Sequence, residues 1–232
     1  MRSFARTGGR LKPRWATALA ESGHRYLIGA DSDGHVPTLQ PEVFPLEGLF
    51  PDDDAPLVIE VGSGGGHQAV AYAAAHPGVN VLALEVWRQG LASTVALAEA
   101  AGGLANLRIA QADAAALFEH PLPSGRASEV WTFFPDPWPK VRHRKRRIVN
   151  AGFAAAVARV LRPGGVWRCA TDWEDYGRQM RDVVGESEHF EVDPAADAHG
   201  FSPRWEGRVL TRYEKRGLEE GRSVWDVTGY AR

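Results

Sequence analysis

The sequence predicts an α/β fold in which a mostly parallel sheet is covered by helices on both faces. Short runs rich in β-branched and apolar residues alternate along the chain with Ala-rich segments of helical character. Strands buried on both faces are nearly continuous apolar runs, and 57–61 (LVIEV) is apolar at every position except Glu60. With 232 residues, of which 44% are hydrophobic, the chain is long enough for one α/β domain with extensions.

Seven strands and four helices are expected in alternating order. The strands are predicted at 57–61, 79–86, 106–111, 129–135, 166–171, 188–193 and 223–230. The helices are predicted near 66–76, 88–101, 148–161 and 174–185. The third helix is amphipathic, and "RPGG" at 162–165 ends it. Residues 1–50, rich in Arg, Gly and Pro, are expected to form a basic N-terminal arm and lead-in that is partly mobile, before the domain at 51–232.

Composition and spacing argue against several classes of protein. A single cysteine, Cys169, cannot form an internal disulfide, so we expect a cytoplasmic protein. The eight histidines lack a metal-ligand spacing such as HExxH, and no metal site is expected. No apolar run approaches membrane-spanning length. Lys and Arg (27) nearly balance Asp and Glu (29), so attraction to nucleic acid would depend on clustered charge, which residues 1–14 and 140–147 provide.

A glycine run, "EVGSGGGH" at 60–67, closes the first predicted strand and opens the first helix. Glycines let the backbone turn tightly and approach a ligand, while the N–H groups of the helix start favour a negative group. The dinucleotide fingerprint needs glycine at 62, 64 and 67, but residue 67 is His, which weakens a dehydrogenase interpretation. The loop suits a carboxylate such as that of S-adenosylmethionine. A glycine-rich turn without a ligand is the alternative.

Acidic residues stand at or just after the ends of the second, third and fourth predicted strands, at Glu85, Asp113 and Asp136. Glu85 lies about 20 residues beyond the glycines, where an acid can accept hydrogen bonds from both ribose hydroxyls. Asp113 is placed to accept one from an adenine amino group. Each acid alone could be a solvated loop residue. Because ligands of open α/β sheets bind at the carboxyl ends of strands, their recurrence predicts a binding site.

The stretch "FFPDPWPKVRHRKRR", residues 133–147, joins an acid to a dense basic run. Three prolines fix the backbone around Asp136, so its carboxylate is expected to keep one pose. The basic run is too dense for one helix face and must meet an anion or lie in water. Its position beside Asp136 favours phosphate contacts. A Pro-rich turn with a buried Trp138, followed by a solvated charged face, is the alternative.

These motifs suggest a family. The stretch "FPDPWPKVRHRKRR", with "TDWEDY" at 171–176, "TRYEKRG" at 211–217 and the glycine run, resembles the tRNA (guanine-N7-)-methyltransferases of the bacterial single-chain type. The resemblance covers about residues 57–227, and Tyr213 stands where we expect Phe. It implies a seven-stranded, Rossmann-like class I S-adenosylmethionine-dependent methyltransferase fold. The implied reaction is methyl transfer to N7 of a guanine in the tRNA variable loop, forming m7G46.

The resemblance also implies the roles of individual residues. The cofactor-binding set is Glu60, Gly62, Gly64, Glu85, Asp113 and Asp136. The set expected to bind the target guanosine is Lys140, Asp172, Thr211, Arg212, Tyr213 and Glu214. RNA contacts are expected from Arg142, His143, Arg144, Lys145, Arg146 and Arg147. The expected partner is tRNA, with no membrane and no obligatory protein partner, and the protein is expected to be a monomer or homodimer.

The chemistry of this reaction explains why an acid is needed. Guanine N7 carries a lone pair and no proton, so its attack on a sulfonium methyl needs alignment more than a general base. The ring becomes cationic as the methyl arrives. A fixed carboxylate at Asp136, with Asp172, can hold the guanine through its N1–H and amino group and favour the developing charge. Asp136 is therefore the expected catalytic residue.

Three other functions fit part of the sequence. An enzyme that methylates amino groups of nucleic acids often has an acid, two prolines and an aromatic residue, but Asp136, Pro137 and Trp138 lack the second proline. A nicotinamide enzyme would need the third glycine of the fingerprint. A non-catalytic RNA-binding module would keep the basic run without requiring the series of strand-end acids.

Overall fold

Seven strands form one mixed sheet, mostly parallel, in a computed structural model of the chain. The structure describes residues 11–29, 44–119 and 121–232, except for the side chains of Arg212 and Tyr213. Its described residues divide into two compact units, the first within 11–122 and the second at 123–232. The predicted α/β fold class is confirmed. The domain at 51–232 stays a prediction.

The first unit carries three parallel strands in the order β3-β2-β1, each followed by a helix. The strands are β1 Leu57–Val61, β2 Asn80–Glu85 and β3 Leu107–Gln111. The helices that follow them are α2 His67–Ala75, α3 Arg88–Ala100 and α4 Ala114–Glu119. Val61 pairs with Leu84, and Glu85 with Gln111, so the carboxyl ends of the three strands lie at one edge. This edge carries the glycine run and the first acids.

One helix, α1 Pro13–Tyr26, lies within the predicted basic arm. Pro13 occupies the first helical position. Proline is tolerated there because the backbone N–H that it lacks would have no partner within the helix. Leu19 and Tyr26 pack in the same buried cluster as Leu91 of α3, and the Tyr26 hydroxyl donates a hydrogen bond to Glu99. The predicted arm therefore includes a helix that is part of the first unit and packs on α3. The remainder of the arm, residues 1–10 and 30–43, lies outside the described residues.

The second unit carries four strands in the order β4-β5-β7-β6, in which β4 and β5 are parallel and β7 is antiparallel to both neighbours. The strands are β4 Ala127–Phe133, β5 Leu161–Thr171, β6 Phe190–Val192 and β7 Trp225–Ala231. The helices are α5 Ala151–Val160, α6 Glu174–Gly185 and α7 Arg212–Glu219, with a 3-10 helix at Val141–Arg146. Helix α5 begins later than predicted because Asn150 caps it, accepting a hydrogen bond from the Phe153 amide at 3.1 Å.

Helix α7 was not predicted, because its sequence is mostly polar and shows no apolar stripe of helical period. A different signal was present. Thr211 and Glu214 have the spacing of a capping box, and the Thr211 side chain accepts a hydrogen bond from the Glu214 amide at 3.2 Å. In the described ranges no helix is long and apolar enough to cross a membrane.

Candidate functional site

The loop between β1 and α2 is built from glycines at positive φ, at Gly62 (72°), Gly64 (55°) and Gly66 (80°). A residue with a Cβ would be strained there, so the loop requires glycine. The Gly62 amide donates to the Leu84 carbonyl at 2.9 Å, which ties the loop to β2. A Cβ added at Gly90 of α3 would lie 2.2 Å from the Gly64 carbonyl oxygen. The loop is therefore fixed on two sides, while a Cβ on Gly62 or Gly64 would meet no atom within 4 Å.

Glu85 ends β2 and directs its carboxylate at the surrounding backbone. Oε2 accepts a hydrogen bond from the Gly64 amide at 2.6 Å. Oε1 accepts from the amides of Val86 at 2.7 Å and Trp87 at 2.8 Å. Hydrogen bonds to an ionised acceptor are roughly twice as strong as neutral ones. Glu85 therefore organises the glycine loop, a role that its predicted contact with ribose did not include.

Glu60 lies in β1 and is buried, with a relative exposure of 5%. Burial raises the pKa of its carboxyl to about 8, helped by the nearby Glu85 charge and opposed by a hydrogen bond from the Ala69 amide. The carboxyl is therefore mostly protonated at neutral pH. Its Oε2 has no hydrogen-bond partner among the described residues. A buried polar atom of this kind is normally satisfied by a partner, which a ligand or water can supply.

Three further buried polar atoms of the first unit also have no hydrogen-bond partner within the described part of the chain. They are the Ser63 hydroxyl, the Trp87 indole N–H and the Gln111 side-chain oxygen. All stand at or just after the carboxyl ends of the three parallel strands. Donors and acceptors are mixed, which suits a ligand with amino and hydroxyl groups. These three residues were not predicted, and their position at strand ends is the signal that could have found them.

Asp113 follows β3 as predicted and is partly exposed. Its Oδ1 accepts a hydrogen bond from the Ala115 amide at 3.1 Å, which places the side chain at the start of α4. Where residues are described, no group of three His, Cys, Asp or Glu side chains could hold a metal ion.

Asp136 lies in a strained segment that leaves β4. Phe134 and Trp138 on either side have φ angles of 50° and 43°, in the left-handed region that residues other than glycine seldom adopt. Such backbone conformations cost about 1–3 kcal/mol each and cluster at functional sites. The Phe134 amide donates to the Ala170 carbonyl at 2.7 Å, and Asp136 is exposed. The strain lies on both sides of the predicted catalytic acid.

The cations that follow Asp136 differ in exposure and in partners. Lys140, Arg142 and Lys145 are exposed. Arg144 is exposed as well and forms an ion pair with Asp175 on α6, with 3.2 Å between Nη2 and Oδ1. The structure therefore presents four of the predicted cations on the surface of the second unit, where phosphates could reach them.

Trp138 is enclosed by two residues of the basic run. The Arg146 guanidinium carbon lies 3.6 Å from the centre of a Trp138 ring, a cation–π contact. His143 meets the same side chain edge-on at 5.9 Å between ring centroids. Burial, followed by the charges of neighbouring cations, lowers the pKa of His143. The lowered pKa favours the neutral form of the ring in the protein alone.

Arg147 does not belong to this surface. Its side chain is 1% exposed, and its Nε donates a hydrogen bond to the Pro137 carbonyl at 2.8 Å. A guanidinium enclosed in this way is not presented to a phosphate in this structure. The contact of Arg147 with RNA stays a prediction that this position does not favour.

Asp172 follows β5 and is paired with a cation. Its Oδ2 lies 2.9 Å from Nε of Arg222, an ion pair without the alignment of a hydrogen bond. The carboxylate is partly exposed. A Cβ added at Gly217 of α7 would lie 3.2 Å from the same oxygen, so α7 packs closely on Asp172. The structure thus brings together Asp172 and the helix that begins with the predicted "TRYE" segment.

Glu214 lies inside the second unit. Its carboxylate is 1% exposed and forms ion pairs with Arg204 and Arg208, each at 3.1 Å. Arg208, equally buried, also binds Asp226 on β7, whose pKa is raised by burial although Arg208 opposes the shift. The contact of the Glu214 side chain with guanosine stays a prediction, and in this structure both arginines enclose the carboxylate. Of its predicted neighbours, Thr211 caps α7.

Comparison with solved structures defines the class of fold. The structure of 16S rRNA methyltransferase KamB matches with a TM-score of 0.58 and 22% identity, covering 80% of this chain and 90% of that one. The 16S rRNA (adenine(1408)-N(1))-methyltransferase from Catenulisporales acidiphilia matches with a TM-score of 0.51 and 18% identity, covering 85% and 95%. A mutant of the latter was solved with its cosubstrate SAM. The fold is that of the class I S-adenosylmethionine-dependent methyltransferases, as predicted.

Comparison of sequences defines the family. A family described as "Putative methyltransferase" matches residues 54–227. The tRNA (guanine-N(7)-)-methyltransferase of Nocardioides sp. is 40% identical over 228 residues, covering 97% of this chain and 85% of its own. That of Cutibacterium acnes is 41% identical over 228 residues, covering 97% and 81%. The chain belongs to the tRNA (guanine-N(7)-)-methyltransferase family and is an S-adenosylmethionine-dependent enzyme. The nicotinamide enzyme and the non-catalytic module are thereby excluded.

The raised pKa of Glu60 gives a first prediction. The pKa is 4.5 in an unperturbed carboxyl and about 8 in the folded protein, so the stability due to proton binding is complete below 4.5 and lost as pH rises through 8. Glu60→Gln stays neutral, and we expect its free energy of unfolding to fall less between these values than that of the wild type. Urea denaturation across this range measures the difference. Equal pH dependence in both proteins would contradict the assignment.

The buried position of Arg208 gives a second prediction. Arg208→Met leaves Glu214 and Asp226 buried with less compensation, and we expect it to cost about 3–5 kcal/mol of stability. Arg216→Met is the matched control, because Arg216 of α7 forms an exposed ion pair with Glu220 and the loss of that pair should change little. Urea denaturation compares them. Equal stability of the two variants would show that the buried pairs contribute nothing.

Proposed function

We propose that the protein transfers the methyl group of S-adenosylmethionine to N7 of guanine 46 in the variable loop of tRNA. The observation that carries the proposal is nearly full-length similarity to tRNA (guanine-N(7)-)-methyltransferases. The strained motif around Asp136 supports it, since the resemblance predicted from sequence rests on that motif. A cytoplasmic location and tRNA as the partner belong to the same proposal.

The first unit would hold the cofactor. S-adenosylmethionine supplies an electrophilic methyl group on a positively charged sulfur. Helix α2 begins directly after the glycine loop without a side-chain cap hydrogen bond, and its positive end would attract the cofactor carboxylate. Glu85 and Asp113 stand at strand ends, where they would accept hydrogen bonds from the ribose hydroxyls and the adenine amino group. The unpartnered buried atoms described above, with Glu60 among them, fit a ligand with this mixture of polar groups.

Asp136 and Asp172 would bind the target guanine. A carboxylate accepts hydrogen bonds from N1–H and the exocyclic amino group, and this pairing fixes the orientation of the ring. No proton leaves N7, since the nitrogen lone pair forms the new bond to carbon while the electron pair of the old bond returns to sulfur. The purine becomes positively charged, and a negative carboxylate nearby lowers the energy of that state. Asp136 also remains in the proposed cofactor-binding set.

The exposed cations after Asp136 would bind the phosphates around the target base. Lys140, Arg142 and Lys145 are exposed, and Arg144 is exposed too although it pairs with Asp175. Phosphate contacts fix the register of a protein on nucleic acid and carry little sequence information. Recognition of guanine and attraction to RNA need opposite charges, and the chain places them within a few residues of each other.

Incubation with a tRNA transcript and labelled S-adenosylmethionine, followed by nucleoside analysis, tests the proposed function. We expect label in 7-methylguanosine and none when guanine 46 of the tRNA is replaced by adenine. Label in a base methylated on its exocyclic amino group would favour the remaining alternative, an amino-methylating enzyme. Label at another guanine would contradict the position.

The role of Asp136 gives a third prediction. We expect Asp136→Ala to lower kcat by at least about 100-fold, the scale of removing one preorganised electrostatic group. The variant should fold, since Asp136 is exposed at the end of a strand. Glu188→Ala removes an exposed acid from another surface of the second unit and should leave kcat unchanged. Near-normal methylation by the Asp136 variant would remove this residue from the mechanism.

The exposed cations give a fourth prediction. For each phosphate contact removed, the slope of log affinity for tRNA against log salt should shrink by about 0.7–0.9, because fewer counterions are released. We expect the double variant Arg142→Met, Lys145→Met to lose about 1.4–1.8 from the slope. Arg178→Met, which removes an exposed cation of α6, is the control and should leave it unchanged. A wild-type slope in the double variant would place the phosphate contacts elsewhere.

A further inference from the structure

Arg147 is the last residue of the basic run and is held inside the second unit by three hydrogen bonds. Its Nη1 donates to Gln179 Oε1 at 2.9 Å, and its Nη2 donates to Asp175 Oδ2 at 2.6 Å. The third donor, Nε, binds the Pro137 carbonyl. The guanidinium carbon also lies 4.7 Å from the ring centre of Tyr176. Every nitrogen of the guanidinium is therefore used within the protein.

The Pro137 carbonyl is part of the residue that directly follows Asp136. Pro135, Pro137 and Pro139 lack an N–H, so this segment has few donors with which to form its own turn. Strained backbone persists only where the surroundings over-determine it. The hydrogen bond from Arg147 is one such restraint, at the centre of the strained segment.

The other partners of Arg147 lie on the first turns of α6, which begins two residues after Asp172. This helix is fixed to the neighbouring chain as well. Gln179 donates to the Val149 carbonyl at 2.7 Å, and the Tyr176 hydroxyl accepts from the Val149 amide at 3.0 Å. Arg147 therefore joins two segments, one with Asp136 and the other following Asp172. These are the two acids assigned to guanine.

We propose that Arg147 is a positioning residue for methyl transfer, which sets Asp136 relative to Asp172 by joining the Pro137 carbonyl to α6. The proposal rests on the function proposed for the two acids. An arginine is required because three acceptors surround one planar group. A lysine offers a single nitrogen and cannot reach all of them. The role is distinct from that of the exposed cations, although all belong to one run of sequence.

The test compares Arg147→Met and Arg147→Lys with the wild type in three measurements. At saturating tRNA and cofactor we expect kcat to fall about 10- to 100-fold, because small misplacements of reacting groups are this costly. The salt slope of tRNA binding should remain that of the wild type, since no phosphate contact is lost. Affinity for S-adenosylmethionine should remain within about twofold of the wild-type value, because the cations of the basic run are expected to bind phosphates and not the cofactor.

Lys145→Met is the comparison variant, because it removes an exposed cation two residues away and should reduce the salt slope. A reduced slope with wild-type kcat in the Arg147 variants would overturn the positioning role. If Arg147→Met fails to fold, Asp175→Asn tests the positioning role instead. This variant weakens the hydrogen bond from Arg147 Nη2 to residue 175, which is partly exposed. Lowered kcat in Asp175→Asn supports the role, and unchanged kcat overturns it. Wild-type protein that forms no 7-methylguanosine would instead overturn the proposed function itself.

Discussion

The backbone between Phe134 and Trp138 is the constraint on which the candidate site of the second unit depends. Both end residues adopt positive φ, and the prolines between them leave few backbone donors to stabilise the turn. The side chains that restrain this segment come from the end of the basic run that follows it. Arg146 covers the ring of Trp138, and Arg147 binds the carbonyl of Pro137 from inside. The conformation of this segment is therefore maintained by charged side chains that follow it closely in sequence.

Charge has a similar structural role elsewhere in both units. In the first unit, the Glu85 carboxylate accepts hydrogen bonds from three backbone amides and holds the glycine loop in its left-handed conformation. In the second, Arg208 lies between Glu214 and Asp226 and fixes the start of α7 to β7. A buried charge is costly unless it is paired and hydrogen-bonded, which explains why each of these groups has several partners. Ionised side chains at strand ends thus shape the loops that the proposed ligands would contact.

The strands were predictable because burial on both faces gives continuous apolar runs, and β1 has the predicted bounds. Helix α7 was not predicted because it lacks an apolar stripe. Helix α1 was not predicted because it has few buried residues among basic and polar ones. The strand-end acids followed from the topology of an open sheet. The role of Arg147 could not be derived from the topology, because its burial depends on Asp175 and Gln179, about thirty residues later in the chain. Sequence alone cannot distinguish it from its exposed neighbours.

A double-mutant cycle between Arg147 and Asp136 tests most directly whether the buried arginine acts through the acid. The rate of methyl transfer in a single turnover would be measured for Arg147→Met, Asp136→Asn and the double variant. If Arg147 acts only by placing the Asp136 carboxylate, its substitution should slow the wild type strongly and the Asp136→Asn protein hardly at all. Equal losses in both backgrounds would contradict the account, because they would show that Arg147 and Asp136 contribute independently.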